Sequence, residues 1–389
     1  MYQKHGEFVP VIIYSKTCVN DIRDCIIKNY GKIKYELPFI NAVSVEIPQE
    51  KIPTVSSNKM IDLVSNDAIV SKSPISPGIM KVTRPDGFSR RPGPQLFESE
   101  RDRLVMGRGV GVAVIDTGIA PHYDLIKPYN RIIAFKDFVG EKSDPYDDDG
   151  HGTHVAGIVA GNGYTTGKYI GTSPCCNIIS IKALDHAGNG TESDILAALQ
   201  WVIHHRRMFN IRVINLSLGV KAEGSYEKDS LVRGANAAVH HGFTVVTAAG
   251  NNGPGESTIN SPGISPLVIT VGAADLSRCD KTDGICVAKF SSRGPTLNGI
   301  IKPDIIAPGV DIISLDAKNP KNYVSQSGTS MAAPVVSGVA ANLHAMYPRL
   351  TPAQVKQFII QNALPIEKEN RNAQGCGFLN YKTFINLQG

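Results

Sequence analysis

The 389-residue sequence lacks the features that identify several large classes of protein. Its seven cysteines are an odd number and form no C-x-x-C pair, so neither a secreted disulfide framework nor a zinc site is indicated. No apolar run approaches the roughly 18 residues of a membrane-spanning helix. The 40 basic and 35 acidic residues leave a net charge of +5, which is too small to indicate nucleic acid or an anionic membrane as a partner.

The N-terminus lacks the pattern of a signal peptide. Its apolar stretch, from Val9 to Tyr14, is too short for one, and no small-residue cleavage site follows it. With Met1 present, this pattern predicts a complete, cytoplasmic chain. The composition, with 42% hydrophobic and 19% charged residues, is that of an ordinary folded protein.

Two regions of different character follow each other along the chain. In the first, short strand-like and helix-like segments alternate in the order β-α-β-β-α-β, which is typical of a small α+β domain. A second helix is predicted to start near Ser56, and the segment AIVSKS (68–73) to form the last strand. Proline, glycine and basic residues then indicate a linker. We predict a small domain over 1–77, a linker over 78–97 and a large domain over 98–389.

The large region has the pattern of an α/β fold. A helix is expected at its start, over LFESERDRLVM (96–106). Continuous apolar strands such as VGVAVI and FTVVTAA then alternate with helical segments, which predicts a parallel sheet with helices on both faces. Active sites in such sheets form at the carboxyl ends of the strands, so the reactive residues are expected there.

Asp116 stands at the end of one of these strands, in GVGVAVIDTGI. A carboxylate there can project into a cleft, although an aspartate that merely ends a strand at a turn is the commoner case. The glycines of GRGVG precede this strand. A dinucleotide-binding fingerprint needs them after it, so that function is not indicated.

His151 begins a run of small residues in HGTHVAGIVAG, which indicates a tightly packed helix. A helix N-terminus disfavours the imidazolium, so His151 needs a carboxylate such as Asp116 beside it to act as a base. His151 and His154 have the spacing of a metal pair. No third ligand follows from the sequence, so a packed, hydrogen-bonded His154 is the preferred interpretation. The acidic run 147–149 is interpreted as a solvated loop.

Ser330 lies between a Gly-Thr turn and an apolar helix in SQSGTSMAAPVVSG. Pro334 fits the first turn of that helix, and a serine at such a turn is exposed beside outward-pointing backbone N–H groups. A plain N-cap serine is the commoner case. None of the three segments decides the function alone.

Together, the three segments resemble the subtilisin-like serine proteases (subtilases), whose catalytic residues follow the order Asp, His, Ser. The matching motifs are AVIDTGI, HGTHVAGIVAG and GTSMAAPVVSG, and TAAGNNGP and VINLSLG match two further family segments. The resemblance extends from about residue 100 to the C-terminus, and FSSRGPT and KPDIIAPGV favour an intracellular bacterial branch. It implies a subtilisin-like α/β fold and a serine endopeptidase of EC 3.4.21 type with broad specificity.

The resemblance implies a role for each catalytic residue. Ser330 attacks a peptide carbonyl, His151 takes its proton and later gives it to the leaving amine, and Asp116 orients the imidazole. Asn251 supplies a side-chain donor of the oxyanion hole, beside the backbone N–H of Ser330.

The resemblance also implies where a protein or peptide substrate lies. The substrate backbone adds a strand to one sheet edge. The implied binding residues are Ser217, Leu218 and Gly219 on that edge, Gly250 and Gly253 in the wall of the first specificity pocket, and Asn260 near its base. Because glycine walls leave room, we expect a slot for a large apolar or aromatic side chain.

The N-terminal domain resembles the propeptide that chaperones and inhibits subtilases, both in its element order and in the segment PFINAVSVEIPQEKI. Parallel sheets with many nonlocal contacts fold slowly, which gives a chaperoning domain a purpose. The N-terminal domain is therefore expected to be an intramolecular partner, and the chain a zymogen cut by its own Ser330 within roughly 74–95. Arg90 and Arg91 are interpreted as a solvated pair rather than a processing site.

The sequence also bears on a calcium site and on two alternative functions. Asp124 matches a family calcium ligand, but GNGYTTGKYIG lacks the asparagine-rich pattern of the partner loop, and Asp124 alone cannot supply six to eight oxygens. We expect no required cofactor, no other metal, and a calcium site that is altered or absent. The alternatives are a catalytically silent subtilase-fold module that binds or regulates, and an acyl transferase or peptide ligase using the same acyl-enzyme. Silent copies normally lose a triad residue, and all three are present here.

Overall fold

The computed structural model describes residues 7–73, 82–83, 106–140, 142–277 and 284–380. The predicted linker and cleavage region, and the helix expected over 96–106, lie almost entirely outside the described residues. Within the described ranges, none of the helices combines the length and apolarity needed to cross a membrane.

A four-stranded antiparallel sheet forms the first part of the structure. Its elements are β1 Phe8–Ser15, α1 Asn20–Lys28, β2 Lys32–Leu37, β3 Ala42–Pro48, α2 Ile52–Ser56 and β4 Ile61–Asn66. The strands lie in the order β2-β3-β1-β4. Alternation along β1 divides its side chains: Val11 and Ile13 pack with the two helices, whereas Ile12 and Tyr14 face the large domain. The β-α-β-β-α-β order is as predicted.

Two details of this first part were predicted wrongly. The second helix ends at Ser56 instead of starting there, because Pro53 fits the first turn of a helix. The last strand of the sheet is β4, not AIVSKS. Residues Ile69–Lys72 of AIVSKS do form a strand, β5, but it leaves this sheet and pairs with the large domain.

A mainly parallel sheet forms the centre of the second part. The remaining elements are β6 Val82–Thr83, β7 Gly111–Asp116, α3 Tyr123–Ile126, β8 Ile132–Asp137, α4 His151–Ala160, β9 Asn177–Lys182, β10 Asn189–Thr191, α5 Glu192–His205, β11 Ile211–Leu216, β12 Leu218–Lys221, α6 Ser230–His240, β13 Thr244–Ala248, β14 Asn260–Ser261, β15 Ile269–Asp275, β16 Cys286–Val287, β17 Ile305–Pro308, β18 Ile312–Leu315, β19 Tyr323–Gln326, α7 Thr329–Met346, α8 Pro352–Gln361 and α9 Arg371–Gln374. The central order is β16-β15-β13-β11-β7-β9-β8, with β17 also beside β15, and only β16 runs antiparallel to its neighbour.

Helices cover both faces of this sheet, which confirms the predicted fold class. Helices α4, α7 and α8 share one apolar cluster with the sheet, and α5 and α6 share the other. Strand β7 is buried throughout because Val112 and Val114 face the first cluster, whereas Ala113 and Ile115 face the second.

The first part packs on the face formed by α5 and α6. Its buried residues Ile12, Tyr14 and Leu37 belong to the same apolar cluster as Leu196 and Leu231 of those helices. This packing brings β5 into a second, four-stranded sheet with the order β10-β5-β12-β14. Strand β5 therefore lies between two strands that border the carboxyl ends of the central sheet.

Candidate active site

Asp116 and His151 form a buried hydrogen-bonded pair. Asp116 is the last residue of β7 and His151 the first of α4, and His151 Nδ1 lies 2.7 Å from Asp116 Oδ1. The backbone N–H of Thr117 donates to the same carboxylate oxygen at 2.7 Å. The close approach requires glycine at position 152, because a Cβ there would collide with the backbone of Gly118. Within the run of small residues at the start of α4, Gly152 thus allows the close contact between this helix and β7.

Ser330 is the second residue of α7 and is buried against the end of β11. Its Oγ donates to the carbonyl of Ser217 at 3.0 Å, and the Ser217 hydroxyl donates back to the Ser330 carbonyl at 3.0 Å. His151 Nε2 is buried and has no hydrogen-bond partner within the described part of the chain. Proton transfer from Ser330 to His151 therefore requires the hydroxyl to exchange its present acceptor for Nε2, as is common in sites without substrate.

The Asn251 amide is oriented by the residue that precedes Ser330. Asn251 Oδ1 accepts from both the backbone N–H of Thr329, at 2.9 Å, and the Thr329 hydroxyl, at 3.0 Å. The other end of the amide, Nδ2, lies 3.1 Å from where a Cβ on Gly328 would be. The donor end of the amide thus faces the start of α7, which is where an oxyanion beside Ser330 needs it.

His154 is packed in the interior and hydrogen-bonded, as the preferred interpretation of the sequence had it. It is fully buried, and its Nε2 lies 3.0 Å from the carbonyl of Ile312 and 3.1 Å from that of Val324. Burial lowers the pKa of His154 to about 3, so the ring is neutral. The described residues contain no group of three or more His, Cys, Asp or Glu side chains arranged to hold a metal ion.

The acidic run before His151 is anchored, contrary to its interpretation as a solvated loop. Asp147 accepts from Thr117, Thr153 and nearby backbone N–H groups, and burial raises its pKa. Asp148 forms a 2.6 Å ion pair with buried Lys182. The sequence did not indicate Thr117, Thr153 and Lys182 as partners, because all three lie outside the acidic run itself.

Strand β5 occupies the strand edge that was predicted to bind substrate. Lys72 is paired with Leu218 and Ser71 with Gly219, in antiparallel register, while the other side of β5 pairs with β10. One further step in this register brings Ser73 opposite Ser217, whose carbonyl holds the Ser330 hydroxyl. Residues of the chain's own N-terminal part thus approach the nucleophile along the route of an added strand.

The pocket beside this edge contains an asparagine side chain. A Cβ at Gly250 would lie 2.9 Å from Asn260 Nδ2, and a Cβ at Gly219 would lie 3.1 Å from Asn260 Cβ. Asn260 therefore lies against both of these glycines, beside the expected specificity pocket. Its Oδ1 accepts from the amide of Asn252 at 2.9 Å, which fixes its position. Gly253 packs elsewhere, against the carbonyl groups of the segment 289–291.

Hydrogen-bond donors surround Asp124, the calcium candidate. Its Oδ1 accepts from the Thr165 N–H at 2.9 Å and the Thr165 hydroxyl at 2.6 Å, and its Oδ2 accepts from the Tyr323 hydroxyl at 2.8 Å. The Arg131 guanidinium donates to the carbonyls of Asp124 and Ala160. These residues do not fit a calcium ion, because the ion needs oxygen lone pairs directed at it. Both carboxylate oxygens of Asp124 instead face hydrogen-bond donors. The sequence had not singled out Tyr323 or Arg131.

Comparisons with known proteins agree on one family. The family model described as "Subtilase family" matches residues 107–378. Serine protease AprX of Bacillus subtilis (strain 168) is 44% identical over 301 residues, which cover 73% of this chain and 67% of that protein. Subtilisin E of the same organism is 31% identical over 370 residues, 94% of this chain and 84% of that protein.

A solved structure gives the same fold. The crystal structure of fervidolysin from Fervidobacterium pennivorans matches with a TM-score of 0.75 and 24% identity. The match covers 100% of this chain and 62% of the fervidolysin chain, so this chain spans less than two thirds of that protein's length.

Proposed function

The chain belongs to the subtilase family of serine proteases, and on that premise we propose that it is an endopeptidase that forms an acyl-enzyme on Ser330. The observation that carries the proposal is the buried pair of Asp116 and His151 at the carboxyl end of the sheet, with Ser330 at the start of α7. No described feature of the site favours a silent module or a transferase.

The geometry supports a role for each group. His151 Nε2 has no other described partner and can accept the Ser330 proton, while Asp116 holds the opposite ring nitrogen as donor and stabilises the imidazolium. The carbonyl oxygen of the substrate becomes negatively charged after attack. The Asn251 amide and the Ser330 backbone N–H stabilise that charge, and His151 then protonates the leaving amine.

We propose that the N-terminal domain is an intramolecular inhibitor. Strand β5 lies in the cleft and pairs with β10 on one side and with β12 on the other. A substrate strand therefore cannot enter until β5 leaves. The domain is also packed on α5 and α6 through an apolar cluster, which stabilises the covered state. The predicted self-cleavage region, 74–95, follows β5 directly in the chain.

The residue whose carbonyl is attacked is proposed to be small. Asn260 stands between Gly219 and Gly250, which leaves little depth in the pocket. Ser73, the residue of the N-terminal part that reaches Ser217 in the register of β5, is itself small and buried. This proposal differs from the expectation, drawn from the sequence, of a large apolar or aromatic side chain.

The proposal is tested with the wild-type chain and Ser330→Ala, incubated side by side. We expect the wild type to react with a serine-directed fluorophosphonate and to lose its N-terminal domain by intact mass, whereas the variant does neither. A wild type that binds no fluorophosphonate and cleaves no casein would refute the endopeptidase. Labelling without loss of mass would refute self-processing alone.

A further inference from the structure

We propose that Asp149 makes this protease select substrates with lysine or arginine at P2, the residue immediately before the one whose carbonyl is attacked. The inference rests on the proposed endopeptidase function and adds a substrate class to it. Lys72 occupies this position in the structure, and its ammonium group contacts Asp149.

The register of β5 identifies Lys72 as the P2 residue. Lys72 is paired with Leu218, and its backbone N–H donates to the carbonyl of Gly188 at 2.8 Å. The next residue, Ser73, comes opposite Ser217, whose carbonyl is bonded to the nucleophilic hydroxyl. A substrate that replaces β5 in the same register places its own P2 residue where Lys72 lies.

The Lys72 ammonium forms an ion pair with Asp149. Lys72 Nζ contacts Asp149 Oδ2 directly, and the two side chains are 21% and 10% exposed. The second oxygen, Oδ1, accepts from the backbone N–H of His151 at 3.1 Å. Asp149 is therefore held beside the catalytic histidine by the N-terminus of α4, with one oxygen directed at the P2 side chain.

Gly188 shapes the slot for the stem of the side chain. A Cβ on Gly188 would lie only 2.5 to 2.7 Å from Lys72 Cδ, Cε and Cγ, so the methylene groups lie directly on the glycine backbone. Gly188 also has a φ of +79°, which residues with a Cβ rarely adopt. The slot thus fits a long, unbranched stem and ends at a carboxylate.

The neighbouring acidic groups are already neutralised or enclosed. Asp148 is paired with Lys182, which also donates to two backbone carbonyls. Asp147 is surrounded by donors from its own loop and from Thr117. Asp149 is therefore the carboxylate of this run that meets a substrate, and a neutral P2 residue would leave it partly desolvated without a counter-ion.

Paired fluorogenic peptides test the selectivity. The enzyme is produced as the full-length chain and then incubated, so that self-processing can take place before the assay. The two peptides end in Ile-Val-Ser-Lys-Ser and Ile-Val-Ser-Gln-Ser, so they differ only at P2. We expect kcat/KM to be about tenfold higher for the lysine peptide. Asp149→Asn, which keeps an oxygen for the His151 N–H, should bring the ratio close to one. Asp144→Asn removes an exposed charge from the same loop and should leave the ratio unchanged.

A double-mutant cycle on the same chain gives a readout that needs no peptide. Lys72→Met and Asp149→Asn should each loosen β5 and speed fluorophosphonate labelling of Ser330 about tenfold, and the double variant should be no faster than either alone. Additive effects would overturn the pairing.

The outcomes distinguish a failure of the P2 selectivity from a failure of the proposed endopeptidase function. Equal hydrolysis of the two peptides, or a lysine preference that persists in Asp149→Asn, would overturn the P2 selectivity and leave the endopeptidase intact. No hydrolysis together with no labelling would refute the proposed function itself.

Discussion

Alkaline pH should loosen the N-terminal domain from the catalytic domain, because docking buries a carboxyl group that resists ionisation. Glu192, the first residue of α5, is 7% exposed. Burial, followed by the nearby carboxylates of Asp229 and Asp67, raises the pKa of Glu192 to about 8. Because Asp67 belongs to the N-terminal part, undocking removes both a covering surface and a like charge.

The groups around Glu192 come from both parts of the protein. The Ser230 hydroxyl bonds to it and also lies 3.0 Å from the hydroxyl of Ser65 in β4. Tyr14 of β1 is close enough for the charge of Glu192 to raise the tyrosine pKa. Burial also raises the pKa values of Asp67 and Asp229, so the acidic groups at this interface favour their protonated forms together.

The sign and size of the effect follow from proton linkage. In the docked state the pKa of Glu192 is raised to about 8, and undocking moves it back toward the ordinary value of 4.5, because the covering surface and the Asp67 charge are lost while Asp229 remains. Between these values the docked state holds more protons, so docking is strongest at low pH and weakens as pH rises. One extra bound proton changes the docking equilibrium by up to about tenfold per pH unit. Above about pH 8 this group contributes no further change.

The assay compares fluorophosphonate labelling of Ser330 in the wild type and in Glu192→Gln, from pH 5 to pH 9. Labelling requires β5 to leave, and dividing the two rates cancels the ionisation of His151, which both chains share. We expect the wild-type rate relative to the variant to rise toward pH 8 and then level off. A constant ratio across the range would refute the reasoning.

Three further predictions concern the oxyanion hole, the specificity pocket and the calcium candidate Asp124. Asn251→Ala should lower kcat with little change in KM, by about the 10²–10³-fold lost when the matching donor is removed from subtilisin; an unchanged kcat would contradict its role. Asn260→Gly should deepen the pocket and raise kcat/KM for peptides with phenylalanine at the attacked residue relative to alanine. An unchanged ratio would contradict the narrowing. A chelator should leave the thermal midpoint unchanged, whereas Asp124→Ala should lower the free energy of unfolding by about 2 kcal/mol, since the buried Tyr323 hydroxyl and two partly buried donors of Thr165 lose their acceptor. A calcium-dependent midpoint would contradict this.

Local patterns predicted much of the fold. Continuous apolar strands and intervening helical segments predicted the parallel sheet with helices on both faces. A strand that is buried on both faces has a nearly continuous apolar sequence, which can be recognised in each strand separately. Asp116, His151 and Ser330 were found because each stands at an element boundary inside a distinctive motif. The α2 prediction failed because the helix begins at Ile52, ahead of Pro53, and ends where it was expected to start.

The family and the candidate catalytic residues were thus determined by the sequence alone, since short motifs and apolar periodicity are local properties. Only the tertiary structure decided where β5 pairs, because a strand of four residues takes whichever sheet edge the packed domains leave open to it. The same holds for Asn260 between two glycines and for Lys72 on Asp149. These contacts join residues far apart in the chain, and their distances are set by the packing of the whole protein.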